Sequence, residues 1–194
     1  MDSFEIRCVT AAEEYAAVSI IVSAFVTDPA ARWLYPEPQH FLTQFPAFVR
    51  ALAGRAFAHG QARIAGIGRA AILWLPPGVG PDEEAVGAVV EATPGDAIRQ
   101  DLFRIIEQMG SYHPAEPHWY LPFIGVDPPL QGQGLGSALL RHSLESVDRD
   151  RKPAYLEASN PKNVPLYERF GFQVMGTIQA GSAPPIYPML RRAR

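Results

Sequence analysis

One stretch constrains the fold of this chain more than any other: Gln131-Gly132-Gln133-Gly134-Leu135-Gly136-Ser137. It follows an apolar, strand-like run from Trp119 to Val126. It opens a helix with Leu135, Leu139, Leu140, Leu144 and Val147 on one side. A strand, a glycine-rich turn and a helix N-terminus together make a place for phosphate. The first-turn N–H groups have no partner inside the helix, the helix dipole favours negative charge there, and glycine lets backbone approach an anion with no Cβ in the way. The first expectation is therefore a ligand that carries phosphates.

The residues around the glycines narrow the choice. A Walker-type loop needs Lys-Ser or Lys-Thr after its last glycine, and Gly136 is followed by Ser137-Ala138. In a dinucleotide fingerprint Gly132 and Gly134 fill the first two places, but Ser137 stands in the third. The acid expected about twenty residues on is met only loosely, by Glu157. The spacing that fits is Gln131-x-x-Gly134-x-Gly136, just after Val126-Asp127-Pro128-Pro129. A second segment follows at a matching distance. Pro153 to Ser159 reads as a strand, then come Asn160, a short helical Val164-Pro165-Leu166-Tyr167-Glu168-Arg169, and Gly171-Phe172.

Together the two segments resemble the GNAT superfamily, the acetyl-CoA-dependent N-acyltransferases. The likeness is strongest in the C-terminal third and thins toward the N-terminus. Within the superfamily it is nearest to puromycin N-acetyltransferase-like members, through Glu116-Pro117-His118-Trp119-Tyr120-Leu121, the glycine turn, Leu156-Glu157-Ala158-Ser159 and Asn163 to Arg169. The resemblance implies an α/β fold: a central, mostly antiparallel sheet flanked by helices, with two central strands splayed apart. Those strands would be Tyr120–Asp127 and Ala154–Ser159, and Pro122, which removes a ladder donor, marks an interruption near the splay. It also implies acetyl-CoA as cosubstrate. The pyrophosphate would sit on the main chain of Gln131, Gly132, Gln133, Gly134, Leu135, Gly136 and Ser137. The pantetheine arm would pair with Ile124, Gly125 and Val126 and meet Asn160. Tyr167 would be the general acid near the sulfur. The base is expected among His118, Glu116 and His113; strand alternation puts His118 on the same face as Tyr120, and an ordinary histidine suits proton removal at neutral pH.

Composition sets the outer limits. The 194 residues, 47% hydrophobic and 19% charged, suit one globular domain over 1–194. A formal charge of −3 offers no general attraction to nucleic acid. Cys8, the single cysteine, excludes an intrachain disulfide and is expected to be buried in an apolar first strand. No Cys/His group has zinc spacing, so no metal is expected. Asp2 and Glu5 argue against a signal peptide and no apolar run is long enough for a bilayer, so the expected location is cytoplasmic with no membrane partner.

Element signals run along the whole chain. Phe4–Thr10 reads as a strand. Thr10-Ala11-Ala12-Glu13 reads as a capping box opening a helix with Tyr15, Val18, Val22 and Phe25 on one face. A helical region from Ala30 to His59 is interrupted at Tyr35-Pro36-Glu37-Pro38 and again at Pro46. A hairpin joins Ala62–Gly68 to Ala70–Leu75 through Gly66-Ile67-Gly68-Arg69. Two helices, one opened by Asp82-Glu83-Glu84 and one over Pro94–Met109, precede the strand before the glycine turn. The chain ends in strands over Phe172–Ile178 and Pro185–Leu190. The acceptor is a small primary amine held by the N-terminal helices, with Phe25, Trp33, Tyr35, Trp74 and Trp119 as aromatic candidates. Two other readings stay open: a CoA-binding sensor without turnover, and a protein-lysine or N-terminal acetyltransferase. Monomer and homodimer are equally compatible with the sequence.

Overall fold

The computed structural model describes residues 4–66 and 68–194. Its elements are β1 (Ile6–Cys8), α1 (Glu14–Ala24), α2 (Pro29–Leu34), α3 (Pro38–Ala53), α4 (Arg55–Ala58), β2 (Ala62–Ala65), β3 (Ala70–Leu75), α5 (Glu83–Ala92), α6 (Asp96–Tyr112), β4 (Trp119–Val126), α7 (Leu135–Asp150), β5 (Ala154–Ala158), α8 (Val164–Arg169), β6 (Gln173–Val174) and β7 (Tyr187–Arg191). The strands form one seven-stranded sheet in the order β1-β2-β3-β4-β5-β7-β6. Only the β4–β5 pair is parallel; every other pairing is antiparallel. This is the mixed, mostly antiparallel architecture expected from the sequence.

Each face of the sheet is covered by helices. One face packs Ala17, Val18 and Ile21 of α1 and Phe41, Phe45 and Val49 of α3 against Leu73, Tyr120, Phe123 and Tyr155. The other packs Leu135, Leu139, Leu140, Leu144 and Val147 of α7 against Ile72, Trp119, Leu121 and Leu156. The leucine stripe of α7 is the one visible in sequence, and it buries apolar area worth roughly 1.5–3 kcal/mol for each fully buried leucine. In α1 the buried stripe is Ala17–Val18–Ile21, and Tyr15 is 77% exposed.

Several local signals act as read. The Glu13 carboxylate accepts from the Thr10 N–H and hydroxyl, at 3.1 and 2.7 Å. The chain breaks between α2 and α3 at Tyr35–Glu37, with Pro38 at the head of α3. Pro46 does not break α3. The carbonyl it leaves unpaired belongs to Leu42, which is exposed, so water can solvate it. Cys8 is exposed rather than buried. It ends β1, the edge strand of the sheet, whose residues are all half-buried or exposed. The C-terminal strands are shorter than expected: β6 has two residues, and Ile178 makes an isolated bridge to Ile186. Ile67 of the β2–β3 turn lies outside the described residues. No helix among the described residues is long and apolar enough to cross a membrane.

Candidate active site

The site begins with a register change. Ala70–Leu73 pair with Val126–Phe123, but Leu75 pairs with Tyr120, so β4 carries one extra residue around Leu121-Pro122. Proline has no N–H to give the ladder, which makes this the natural place for a bulge. On the other side β4 meets β5 only at Trp119↔Ala154 and Tyr120↔Tyr155. Beyond that point the two central strands part, and the facing edges of Phe123–Val126 and Leu156–Ala158 have no ladder partner among the described residues. The splay and the bulge coincide at Pro122.

The glycine turn closes one end of this gap. Gly132 and Gly134 have φ of 76° and 91°, in the region that glycine adopts without strain. Gln131–Gly134 are exposed, and Leu135 anchors the first turn of α7 in the core. The Gln131 and Gln133 side-chain amides donate to the carbonyls of Val126 and Pro129, both at 3.2 Å, and so hold the loop's shape. No main-chain N–H from Gly132 to Ser137 has a hydrogen-bond partner among the described residues. Six consecutive main-chain donors without partners at a helix N-terminus suit a diphosphate.

At the other end of the gap the splay opens into a cavity of about 630 Å³. Phe25, Trp33, Phe45, Phe48, Phe103 and Phe123 give it an aromatic wall. Its charged lining groups are Asp28, Glu83 and Glu157; among the described residues no Arg or Lys lines it. Of the aromatic residues expected at an acceptor site, Phe25 and Trp33 are there, whereas Tyr35, Trp74 and Trp119 are core.

Tyr167 lines this cavity from α8 and is 7% exposed. Burial, and then the Asp28 carboxylate, push its hydroxyl well above the ordinary tyrosine value, so it keeps its proton. Asp28 caps α2: its Oδ1 accepts from the Ala30 and Ala31 N–H groups at 3.0 Å each, and its Oδ2 from the Ser159 hydroxyl at 2.7 Å. Burial raises the Asp28 carboxyl against those three hydrogen bonds. Asn160 caps the turn before α8, accepting from the Lys162 N–H at 3.1 Å.

The residues expected around the base separate. His118 packs behind His113, with its Nε2 3.1 Å from His113 Nδ1, and His113 is the one that lines the cavity. The Glu116 side chain is exposed; only its main-chain carbonyl joins the group, 2.9 Å from His118 Nδ1. Facing His113 is a carboxylate that the sequence reading did not place in the site. Glu157 Oε1 lies 3.2 Å from His113 Nε2, and the Glu157 side chain is only 5% exposed. The distance is that of an ion pair, but the contact is not aligned as a hydrogen bond, and Oε1 has no other partner. Tyr120 and Tyr155 flank this cluster, their rings 4.8 and 4.3 Å from His113. Burial first, and the Glu157 charge second, raise both phenols well beyond the ordinary value. The signal for Glu157 was available: it is the one charge in the apolar run Ala154-Tyr155-Leu156-Glu157-Ala158, and alternation sets it beside Tyr155 and Ser159 on the face that packs against α1 and α3. Asp28 gave no comparable signal, since Asp-Pro at a helix start reads as a cap alone.

Comparison with known proteins agrees with this geometry. A family model described as "Acetyltransferase (GNAT) family" matches residues 69–172. An uncharacterized N-acetyltransferase of Schizosaccharomyces pombe is 41% identical over 54 residues, 28% of this chain and 22% of that protein. A mycothiol acetyltransferase of Acidothermus cellulolyticus is 40% identical over 70 residues, 34% of this chain and 21% of that protein. The matches thus span about a fifth of the length of these curated relatives. Among solved structures, an acetyltransferase of Corynebacterium glutamicum described as "histone acetyltransferase HPA2 and related acetyltransferase" superposes with a TM-score of 0.70 at 26% identity, over 99% of this chain and 97% of that one. A Drosophila melanogaster polyamine N-acetyltransferase gives a TM-score of 0.71 at 15% identity, over 97% and 99% of the two chains, and shows likeness of fold alone.

Proposed function

This chain belongs to the GNAT acetyltransferase family, and from that premise we propose that it moves an acetyl group from acetyl-CoA to the primary amine of a small molecule, by direct attack in a ternary complex. One observation carries the reading: the gap between β4 and β5 joins the open amides of the glycine turn to an aromatic cavity lined by carboxylates and, among the described residues, by no Arg or Lys. A cosubstrate with a diphosphate at one end and a thioester at the other fits that run. Its diphosphate would rest on Gln131–Ser137 and its amide-bearing arm against Ile124, Gly125, Val126 and Asn160.

An acidic, aromatic cavity selects a cationic amine with an apolar body over an acidic acceptor, because a carboxylate or phosphate would meet Asp28 and Glu157 without a counter-charge. The likeness to puromycin N-acetyltransferase-like members points to the same kind of acceptor, although the curated relatives above carry other names. The solved polyamine and agmatine N-acetyltransferases of this fold act on small amines as well.

In the reaction the neutral amine attacks the thioester carbonyl carbon, the C–S bond breaks, and the thiolate takes a proton. Tyr167 is the proton donor: it lines the cavity and its hydroxyl stays protonated at neutral pH. The tyrosine regains its proton as the attacking nitrogen sheds one. Holding both reactants in one cavity supplies several kcal/mol of the barrier by itself.

The test is thiol release from acetyl-CoA across a panel of amines, acidic and cationic, polar and aromatic. Aromatic and aliphatic amines without a carboxylate are expected to release thiol. Tyr167→Phe should lose about a hundredfold or more in kcat while CoA binding by calorimetry is kept. CoA binding with no thiol release from any amine would favour the sensor reading instead.

A further inference from the structure

The His113–Glu157 contact has an implication for protons. The Glu116 carbonyl can only accept, so at 2.9 Å it fixes the hydrogen of His118 on Nδ1. His118 Nε2 is then an acceptor, and at 3.1 Å it requires a hydrogen on His113 Nδ1. A neutral His113 therefore presents a bare lone pair at Nε2, 3.2 Å from Glu157 Oε1, an oxygen that is itself buried and unpartnered. Two acceptors at that distance repel each other, and a proton on either one relieves the repulsion.

We propose that Glu157 and His113 form one proton-accepting pair, and that this pair is the base that receives the proton of the acceptor's ammonium, with His118 as the positioning residue that fixes the tautomer of His113. The proposal rests on the amine-acetylating reading above. Both members of the pair line the cavity, and His118 does not. The balance is simple. The bound ammonium R–NH3⁺ gives one proton to the pair, and the pair returns it to solvent before the next turnover. This frees R–NH2 to attack, while the second N–H proton balances the one delivered to sulfur.

The groups packed around the pair come from several elements, and Asp28 and Glu83 line the same cavity. From β5 the pair is faced by Tyr155, from β4 by Tyr120, from the loop before β4 by His118, and Tyr112 stands next to His113 on α6. Burial and the Glu157 charge keep the protons of Tyr120 and Tyr155 in place. Burial, opposed by the Glu116 carbonyl, holds His118 below the ordinary histidine value, which keeps it neutral with its hydrogen on Nδ1. A carboxylate oxygen and an imidazole nitrogen, both acceptors and both lining the cavity, give an ammonium two places to leave its proton.

The experiment has one arm without turnover and one with it. In the full-length ¹⁵N-labelled protein without cosubstrate, long-range ¹H–¹⁵N spectra near pH 7 should place a ring proton on Nδ1 of both His113 and His118. Glu157→Gln should move the His113 Nε2 resonance and leave His118 unchanged. His118→Gln, whose amide can accept from His113 and donate to the Glu116 carbonyl, should keep His113 in the Nδ1–H form, and His118→Leu should release it. A neutral His113 protonated on Nε2 alone, or a His113 indifferent to Glu157→Gln, overturns the proposal. In the thiol-release assay, with any amine the protein accepts, Glu157→Gln should lower kcat about 10²–10⁴-fold at unchanged CoA affinity. Undiminished turnover would overturn the pair as base. Absence of turnover in the unmodified protein would instead remove the acetyl-transfer reading and leave the spectroscopic arm to stand or fall alone.

Discussion

The approach of α1 to the splayed part of β4 offers a quantitative test of the packing. A Cβ added at Gly125 would lie 2.7 Å from the Ala24 Cβ, 3.1 Å from Ile21 Cδ1 and 3.4 Å from Ile21 Cα. The Ile21 tip can turn aside. The Ala24 methyl cannot, because it is fixed to the helix backbone, so Gly125→Ala must push α1 off the strand. Overpacking of this kind costs about 1–3 kcal/mol. Ala24→Gly removes the obstructing methyl at a helix-propensity cost of about 1 kcal/mol. If the contact is the cause, the double variant transfers one methyl from helix to strand and should lose only about 1 kcal/mol, where independent effects would sum to about 2–4 kcal/mol. The coupling energy is then about 1–3 kcal/mol in favour of the double variant, well above the ~0.5 kcal/mol scatter of independent sites. Urea unfolding, with midpoints compared at a common slope, measures all four corners of the cycle. Costs that simply add would refute the proposed contact and the placement of α1 against β4 with it.

Two further substitutions examine the charged groups beneath the site. Asp28→Asn keeps the oxygen that accepts from the Ala30 and Ala31 amides but removes a carboxyl that burial raises. A raised acid contributes most below the unfolded carboxylate range, near pH 3.9, and loses that contribution as pH rises through its folded value. Thermal melts should therefore show Asp28→Asn as stable as the parent or more so at pH 7.5, with the advantage shrinking by pH 4; the reverse trend would contradict the assignment. Arg191 is 3% exposed and donates to the Phe170 carbonyl and, through both terminal nitrogens, to Asp148 at 2.6 and 2.9 Å. Arg191→Leu should cost about 2–4 kcal/mol in chemical denaturation, below the upper range for buried pairs because Asp148 is 39% exposed and water can solvate it; a loss under about 1 kcal/mol would mean that the pair merely offsets its own desolvation.

What the sequence made legible follows from how locally each feature is encoded. The glycine turn before a helix, the α7 stripe, the β2–β3 strand pair and the short helix between Asn160 and Gly171 are all written within windows of a few residues to two turns, and each element is present. The features that were missed depend on distant partners. Cys8 looks apolar in its window, but an edge strand leaves it exposed. Pro46 looks like a helix breaker, but the carbonyl it frees faces solvent. The acid at Asp28 and the acid at Glu157 come from opposite ends of the chain. Their meeting around one cavity goes with contacts distant in sequence, Ser159 with Asp28 and His113 with Glu157, which no local pattern reports.

Pro122 shows how little sequence change is needed to make such a site. Without a bulge, Tyr120 and Phe123 would point to opposite faces of β4, since they are three residues apart. The extra residue reverses the parity, so that both enter the face covered by α1 and α3 and line the cavity, while Leu121 and Ile124 both go to the α7 side. The same insertion ends the β4–β5 ladder after Tyr120 and leaves main-chain groups free where an amide-bearing arm would lie. One residue without an N–H thus opens the slot, aims an aromatic wall into it, and puts the last paired residues, Tyr120 and Tyr155, against His113. A deletion that restored the register would have to destroy the slot and the cavity together, because both come from the same displaced residue.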